Sequence, residues 1–145
     1  MENTGFNNHV GFRPEYLERL CRDLPECTVC LDIAHVQDFA DLVLAGFIAN
    51  PGIRQRIREI HFSYSTILLQ EDIYATLGYP GYGPYHALYS LTGVRPDPGM
   101  LEFIRNFPIV LEGVVPLEDQ ALDFLRAEMA IALGAGLAAP VAHGG

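Results

Sequence analysis

The residues best suited to chemistry are carboxylates and histidines at the ends of apolar runs. "TVCLDIAHV" (28–36) closes with Asp32 and His35, "REIHFS" (58–63) carries His61, and "PIVLEGV" (108–114) carries Glu112. Side chains alternate along a strand, so Thr28, Cys30 and Asp32 share one face while Val29, Leu31 and Ile33 share the other. By the same rule Glu59, His61 and Ser63 oppose Ile60 and Phe62, and Val110 and Glu112 oppose Ile109 and Leu111. Each run has an apolar face suited to helices and a face ending in a group able to bind metal or move a proton. Glu2, just before an expected loop, fits as a fourth case. Taken singly, each has a plain alternative: a satisfied buried histidine, or a carboxylate capping a helix. Taken together, converging buried carboxylates repel one another unless a cation offsets them. Two Glu, one Asp and one His suit a divalent ion such as Mn, Mg, Co, Zn or Fe.

These residues need a scaffold that brings strand ends together. "RPEYLERLCRDL" (13–24) reads as a helix, with Pro14 near its start and Tyr16, Leu17 and Leu20 on one face. "TVCLDIAH" follows as a strand, then "VQDFADLVLAGF" and "NPGIRQRI" as helical stretches interrupted by Pro51 and Gly52. After the short strand "REIHFS", Asp97 and Pro98 open a helix over "DPGMLEFIRNF". "PIVLEGV" is a third strand, and "PLEDQALDFLRAEMAIALG" is a long helix with Glu118 and Asp119 in its first turn. Alternating strands and helices predict an α/β fold with a parallel sheet and crossover helices. Parallel strands deliver functional residues at their carboxyl ends, where Asp32, His61 and Glu112 stand. The first residues, "MENTG", read as the end of a further strand, and "AGLAAPVAHGG" (135–145) as a frayed tail that leaves His143 uninvolved.

Composition narrows the classes. The chain has 145 residues, half of them hydrophobic, which is a globular composition for about one domain. All nine cations are arginine, so Schiff-base lysines and Walker-type phosphate loops are excluded. A formal charge of −9 repels phosphate backbones and anionic membranes, and argues against nucleic-acid or membrane partners. No apolar run is long enough to span a bilayer and the N-terminus is not a signal peptide, so a cytoplasmic location is expected. Cys27 and Cys30 form a C-x-x-C without the second pair a zinc ribbon needs, and it runs into a strand rather than opening a helix. Together with Cys21 they read as small packing thiols.

Between Ser63 and Arg95 lies a connection of about thirty residues, long for a loop between a strand and a helix. Its "YPGYGPYHALYS" places Tyr79, Tyr82, Tyr85 and Tyr89 around His86. It reads either as a lid whose tyrosines stack on a sugar ring, with His86 as a metal or substrate ligand, or as an aromatic surface loop packed on its neighbours. His9, in the loop after Glu2, reads as solvated.

The order "EN", "LDIAH", "IHFS" and "VLEG" resembles the C-terminal half of the xylose isomerase-like TIM barrels, over residues 2–133. That superfamily includes sugar isomerases and 3-epimerases, inosose dehydratase-like enzymes and endonuclease IV. The resemblance implies a divalent metal held by Glu2, Asp32, His61 and Glu112, with Glu2 and Glu112 exchanging a proton beside the substrate carbonyl. It also implies that His35 binds the substrate oxygen, and that the substrate is a sugar or polyol. Endonuclease IV-like relatives would add His35 and His86 as ligands of a second metal. The aspartate those enzymes carry two residues before the last histidine is Pro84 here. Multinuclear non-haem iron oxidases of the same barrel class share the "EN" and the late glutamate, but carry asparagine in place of His35. A full barrel has eight strands and about 250 residues. The resemblance therefore implies about half of a TIM barrel over residues 1–134, completed by a homodimer or by a complementary N-terminal half-barrel. A non-catalytic half-barrel assembly partner or a truncated remnant is the different-class expectation.

Overall fold

The computed structural model describes residues 1–3, 13–69, 73–76, 78, 86–115 and 121–134. Expectations for His9, Tyr79, Tyr82, Pro84, Tyr85, Glu118, Asp119, His143 and the tail at 135–145 lie outside the described residues. The fold is mixed α/β around a three-stranded parallel sheet.

Helix α1 (Pro14–Asp23) starts with proline in its first turn, as read. Its inward stripe is Leu17 and Cys21 rather than a face containing Tyr16, which is 49% exposed. Strand β1 (Val29–Asp32) then runs directly into α2 (Ile33–Gln37), a correction to the strand expected through His35. The cause is local. Asp32 keeps an extended backbone and its side chain accepts the His35 backbone N–H, so it is the N-cap of α2. The expected helix over 36–47 is likewise broken. Asp38 ends α2, and α3 (Leu44–Ile48) and α4 (Pro51–Arg54) follow, the latter capped by the Asn50 side chain.

Strand β2 (Ile57–Phe62) pairs in parallel with β1 and, on its other edge, with a strand at Ile109–Leu111. An irregularity opposite Val29 sets Ile57 against Val29 and Glu59 against Cys30, leaving Arg58 as the extra residue. This shift lets Ile57 and Ile60, three residues apart, both enter the core at 1% and 0% exposure.

The long connection after β2 contains short regular elements where described. It contains β3 (Tyr64–Ser65), a short 3-10 turn at Ile67–Leu69, α5 (Ile73–Thr76), β4 (His86–Ala87) and α6 (Tyr89–Thr92). β3 and β4 pair antiparallel, with Ser65 opposite His86. Tyr89 is no lid residue: it is buried, stacks on Phe62 at 4.9 Å and accepts a hydrogen bond from Gln37. Helix α7 (Pro98–Ile104) is capped by Asp97, whose side chain accepts the Met100 N–H.

Strand β5 (Ile109–Leu111) completes the sheet, and the Glu112 N–H continues the ladder to the Phe62 carbonyl. Helix α8 (Ala121–Leu133) packs on β5, α6 and α7. Its Glu128, fully buried, accepts the backbone N–H groups of Tyr89 and Ser90 at 2.9 and 2.7 Å. Residues 1–3 lie along the open edge of β1: Glu2 bridges Cys30 in parallel, and the Cys30 N–H reaches the Met1 carbonyl at 2.7 Å. The order across the sheet is therefore 1–3, β1, β2, β5, which is chain order.

Apolar burial lies on one side of this sheet. Val29, Leu31, Ile57, Ile60 and Phe62 join Leu17, Phe47, Ile53, Ile104 and Tyr89 in one cluster. Cys30, Glu59, His61 and Val110 belong to the other side and are partly or largely open to solvent.

Candidate metal centre

The polar side chains collect where β1, β2 and β5 end. Parallel register sets Asp32 beside His61, and His61 beside Val110, so Glu112 projects from the same face two residues beyond Val110. One ligand atom each from Asp32, His61 and Glu112 lies within 4.8 Å of the others. His61 Nδ1 is 3.0 Å from Glu112 Oε2 and 4.0 Å from Asp32 Oδ2. All three of these atoms are buried and lack a hydrogen-bond partner among the described residues. A buried polar atom without a hydrogen bond is costly, and two oxygens and one nitrogen this close together are a donor set that fits a divalent cation.

Several supports hold Asp32 rigid. Its backbone N–H donates to Asn3 Oδ1 at 2.6 Å, and Asn3 Nδ2 donates to its carbonyl at 2.8 Å. Asn3 is 1% exposed, and this two-way clamp also fixes Glu2 beside β1. At the other end Gly113 is required by close approach. A Cβ there would meet Leu88 Cδ2 at 2.9 Å and the Leu88 backbone nitrogen at 3.0 Å. That proximity, with Val114 N–H donating to the His86 carbonyl, seats Glu112 against the β4 segment.

His35 stands beside this group on α2. Its Nε2 is 3.3 Å from Glu2 Oε1 and 3.6 Å from Asp32 Oδ2. Its Nδ1 is 3.2 Å from Asp38 Oδ2, and Ser65 Oγ donates to Asp38 Oδ1 at 2.6 Å. An ionised Asp38 can only accept, so His35 donates its Nδ1–H to it while Nε2 faces Asp32 and Glu2. The His86 ring meets His35 edge-on, with centroids 4.7 Å apart. Asp32, His35 and His86 form a second group with ligand atoms within 4.8 Å.

Charge follows from this crowding. Burial pushes the Asp32 carboxyl up to about 7, against the lowering pull of His35, and neighbouring Glu112 adds to the rise. Glu112 moves down: burial opposes this, but the Asp32 proton and the charges of His61, His86 and His35 prevail. A proton shared by Asp32 and Glu112 and a bound cation are thus alternative ways to satisfy the same oxygens. Burial would lower His35, yet Asp38, Asp32 and Glu2 together raise it. His86 is lowered by burial and by His35. Burial would raise Asp38, but its bonds from His35 and Ser65 bring it down.

The expected ligands therefore divide. Asp32, His61 and Glu112 converge, whereas Glu2 contacts His35 and groups instead with Cys30 and His61. His35 and His86 are adjacent, as a pair of substrate or metal ligands would be. Sequence reading missed Asn3, Asp38 and Ser65. The Asp32-to-His35 spacing is an N-cap signal that places His35 on a helix, and His35-to-Asp38 is helical i,i+3 spacing. The three cysteines are free, and Cys30 lies near Glu2, Glu59, Asp32 and Glu112. No helix among the described residues is long and apolar enough to cross a membrane. Comparison with family models, curated proteins and solved structures finds no match to the chain.

Proposed function

We propose that the chain binds a divalent metal ion through Asp32, His61 and Glu112, with Glu2 alongside, and moves a proton on a small sugar or polyol carbonyl compound. The observation that carries this reading is the convergence of Asp32 Oδ2, His61 Nδ1 and Glu112 Oε2, all buried and without a geometric hydrogen bond, at the carboxyl ends of three successive parallel strands. A bound divalent ion would supply polarisation of the carbonyl and offset the charge that develops on its oxygen. Glu2 and Glu112 flank the Asp32–His61 row from opposite edges of the sheet, on the same face. One then takes the proton from the carbon beside the carbonyl while the other returns it. His35, its Nε2 turned toward the same space, holds a substrate oxygen, with the His86 ring beside it.

Chain-order strands and an open polar sheet face are what about half of a TIM barrel would present. The proposed partner is accordingly a second copy or a complementary half-barrel lying over that face. The Asp32–His35–His86 group supports a second reading, a two-metal centre of the endonuclease IV-like or non-haem iron oxidase kind.

Solvent-deuterium exchange tests the leading reading. The metal-loaded chain is incubated with a panel of ketoses in heavy water, and deuterium beside the carbonyl is read by mass spectrometry. Metal-dependent exchange, lost in Glu112→Gln and Glu2→Gln, is expected. Exchange that survives metal stripping, or both substitutions, contradicts it. Cleavage of abasic-site DNA or metal-dependent oxygen uptake, without exchange, transfers the function to the second reading.

A further inference from the structure

One row below Asp32 and His61, the sheet carries a different donor set on the same face. Glu2 bridges Cys30, and Cys30 lies opposite Glu59. Sγ of Cys30, a Glu2 carboxylate oxygen and a His61 ring nitrogen are mutually within 4.8 Å. All three residues are half-buried, so the group is reachable from solvent while the sheet holds it in place. The edge segment bearing Glu2 is fixed on β1 by the Asn3 clamp and by the Met1 amino group, which donates to the Thr28 carbonyl at 2.7 Å. Cys30 is a free thiol.

Sulfur from β1, nitrogen from β2 and oxygen from the edge segment 1–3 form a mixed donor set. Magnesium, calcium and manganese favour all-oxygen sites, whereas thiolate with imidazole and carboxylate suits zinc or cobalt in tetrahedral geometry. We propose that Glu2, Cys30 and His61 form a thiolate-containing subsite that selects a thiophilic divalent cation, zinc or cobalt, over magnesium and manganese. On binding, the Cys30 thiol releases its proton to solvent and its sulfur forms the bond to the cation. The proposal rests on the metal-binding reading of this sheet face and adds the choice of ion to it. His61 stands in both groups, so the two rows are coupled through one imidazole.

Cobalt(II) titration of the full chain separates the two claims, because thiolate ligation gives a near-ultraviolet charge-transfer band that oxygen and nitrogen ligands do not. The expected result is that band together with the visible cobalt bands. It is abolished by Cys30→Ser, kept by Cys27→Ser and by Asp32→Asn, and accompanied by zinc affinity at least about tenfold weaker in Cys30→Ser. Glu2→Gln weakens the band without removing a sulfur, and guards against misfolding of the cysteine variant. Visible cobalt bands without the charge-transfer band overturn the subsite and leave the Asp32–His61–Glu112 centre standing. Absence of both overturns both, and a band that persists in Cys30→Ser overturns the assignment to this cysteine.

Discussion

The two faces of one three-stranded sheet differ in what each leaves unsatisfied. On the helix-covered face Leu31, Ile60 and Phe62 are fully buried, and they need only volume and contact. On the opposite face Asp32 is equally buried, yet Oδ2 of its carboxylate accepts no hydrogen bond and has only His35 and His61 nitrogens 3.6 and 4.0 Å away. Strands only three to six residues long carry both, because alternation gives every second residue to each side. The first face holds the fold together. The second raises its free energy until a proton or a cation arrives, which is the behaviour expected of a binding site.

The strongest way to separate the faces is to damage the first. Phe62→Ala removes a buried ring and its stack with Tyr89, and should cost ~4 kcal/mol in urea denaturation. Metal uptake per folded molecule should be unchanged. A cost under ~1 kcal/mol would show that this side of the sheet is not the core.

A second effect, smaller, comes from pH and belongs to the polar face. Asp32 is raised in the folded chain, so its contribution is complete below about pH 4 and is lost as pH climbs toward 7. His35 is raised above its ordinary value, so its contribution is complete below about 6.5 and disappears as pH passes its folded pKa. Both signs agree: the metal-free chain should lose on the order of 2 kcal/mol between pH 5 and pH 8. Asp38 and Glu112, both lowered, act oppositely, and their stabilisation is lost only as pH falls below about 4. Saturating metal should flatten the decline, since the cation replaces the proton. A metal-free chain whose stability rises over that window would contradict the assignment to Asp32.

Much of this division was legible in sequence. The period-two pattern of "REIHFS" and "VLEG" assigned His61 and Glu112 to the side opposite Ile60 and Leu111, and parallel strand ends bring such residues together. What escaped depends on distant partners. Asn3 and Asp32 are 29 residues apart, and Ser65 and Asp38 are 27 apart, and nothing local announces either bond. The extra residue at Arg58 escaped because one inserted residue in a strand pair leaves no compositional mark. Tyr89 stayed undecided between lid and packing because an aromatic-rich connection looks alike whether its rings face solvent or fill a core.

The smallest effect sharpens the same contrast within the site. In Asp38→Asn the new side-chain amide can donate to His35 Nδ1, which moves the imidazole proton to Nε2 and turns a donor toward Asp32 and Glu2. Nitrogen-15 NMR should report that tautomer change, with ~1 kcal/mol lost from stability through the weakened bond to Ser65. An unchanged tautomer would show that Asp38 does not orient His35.

Metal uptake by wild type and Asp32→Asn, followed by equilibrium dialysis with element-specific detection, tests the central claim most directly. The asparagine keeps the oxygen that caps α2, so the fold should persist. The account predicts at least one equivalent of zinc, cobalt, iron or manganese bound at the upper row in wild type. Asparagine should weaken that ion's binding by at least about 100-fold, with stability at pH 8 equal to or above wild type in the absence of metal. A wild-type chain that stays metal-free, or an Asp32→Asn chain that binds as tightly at that row, would contradict it.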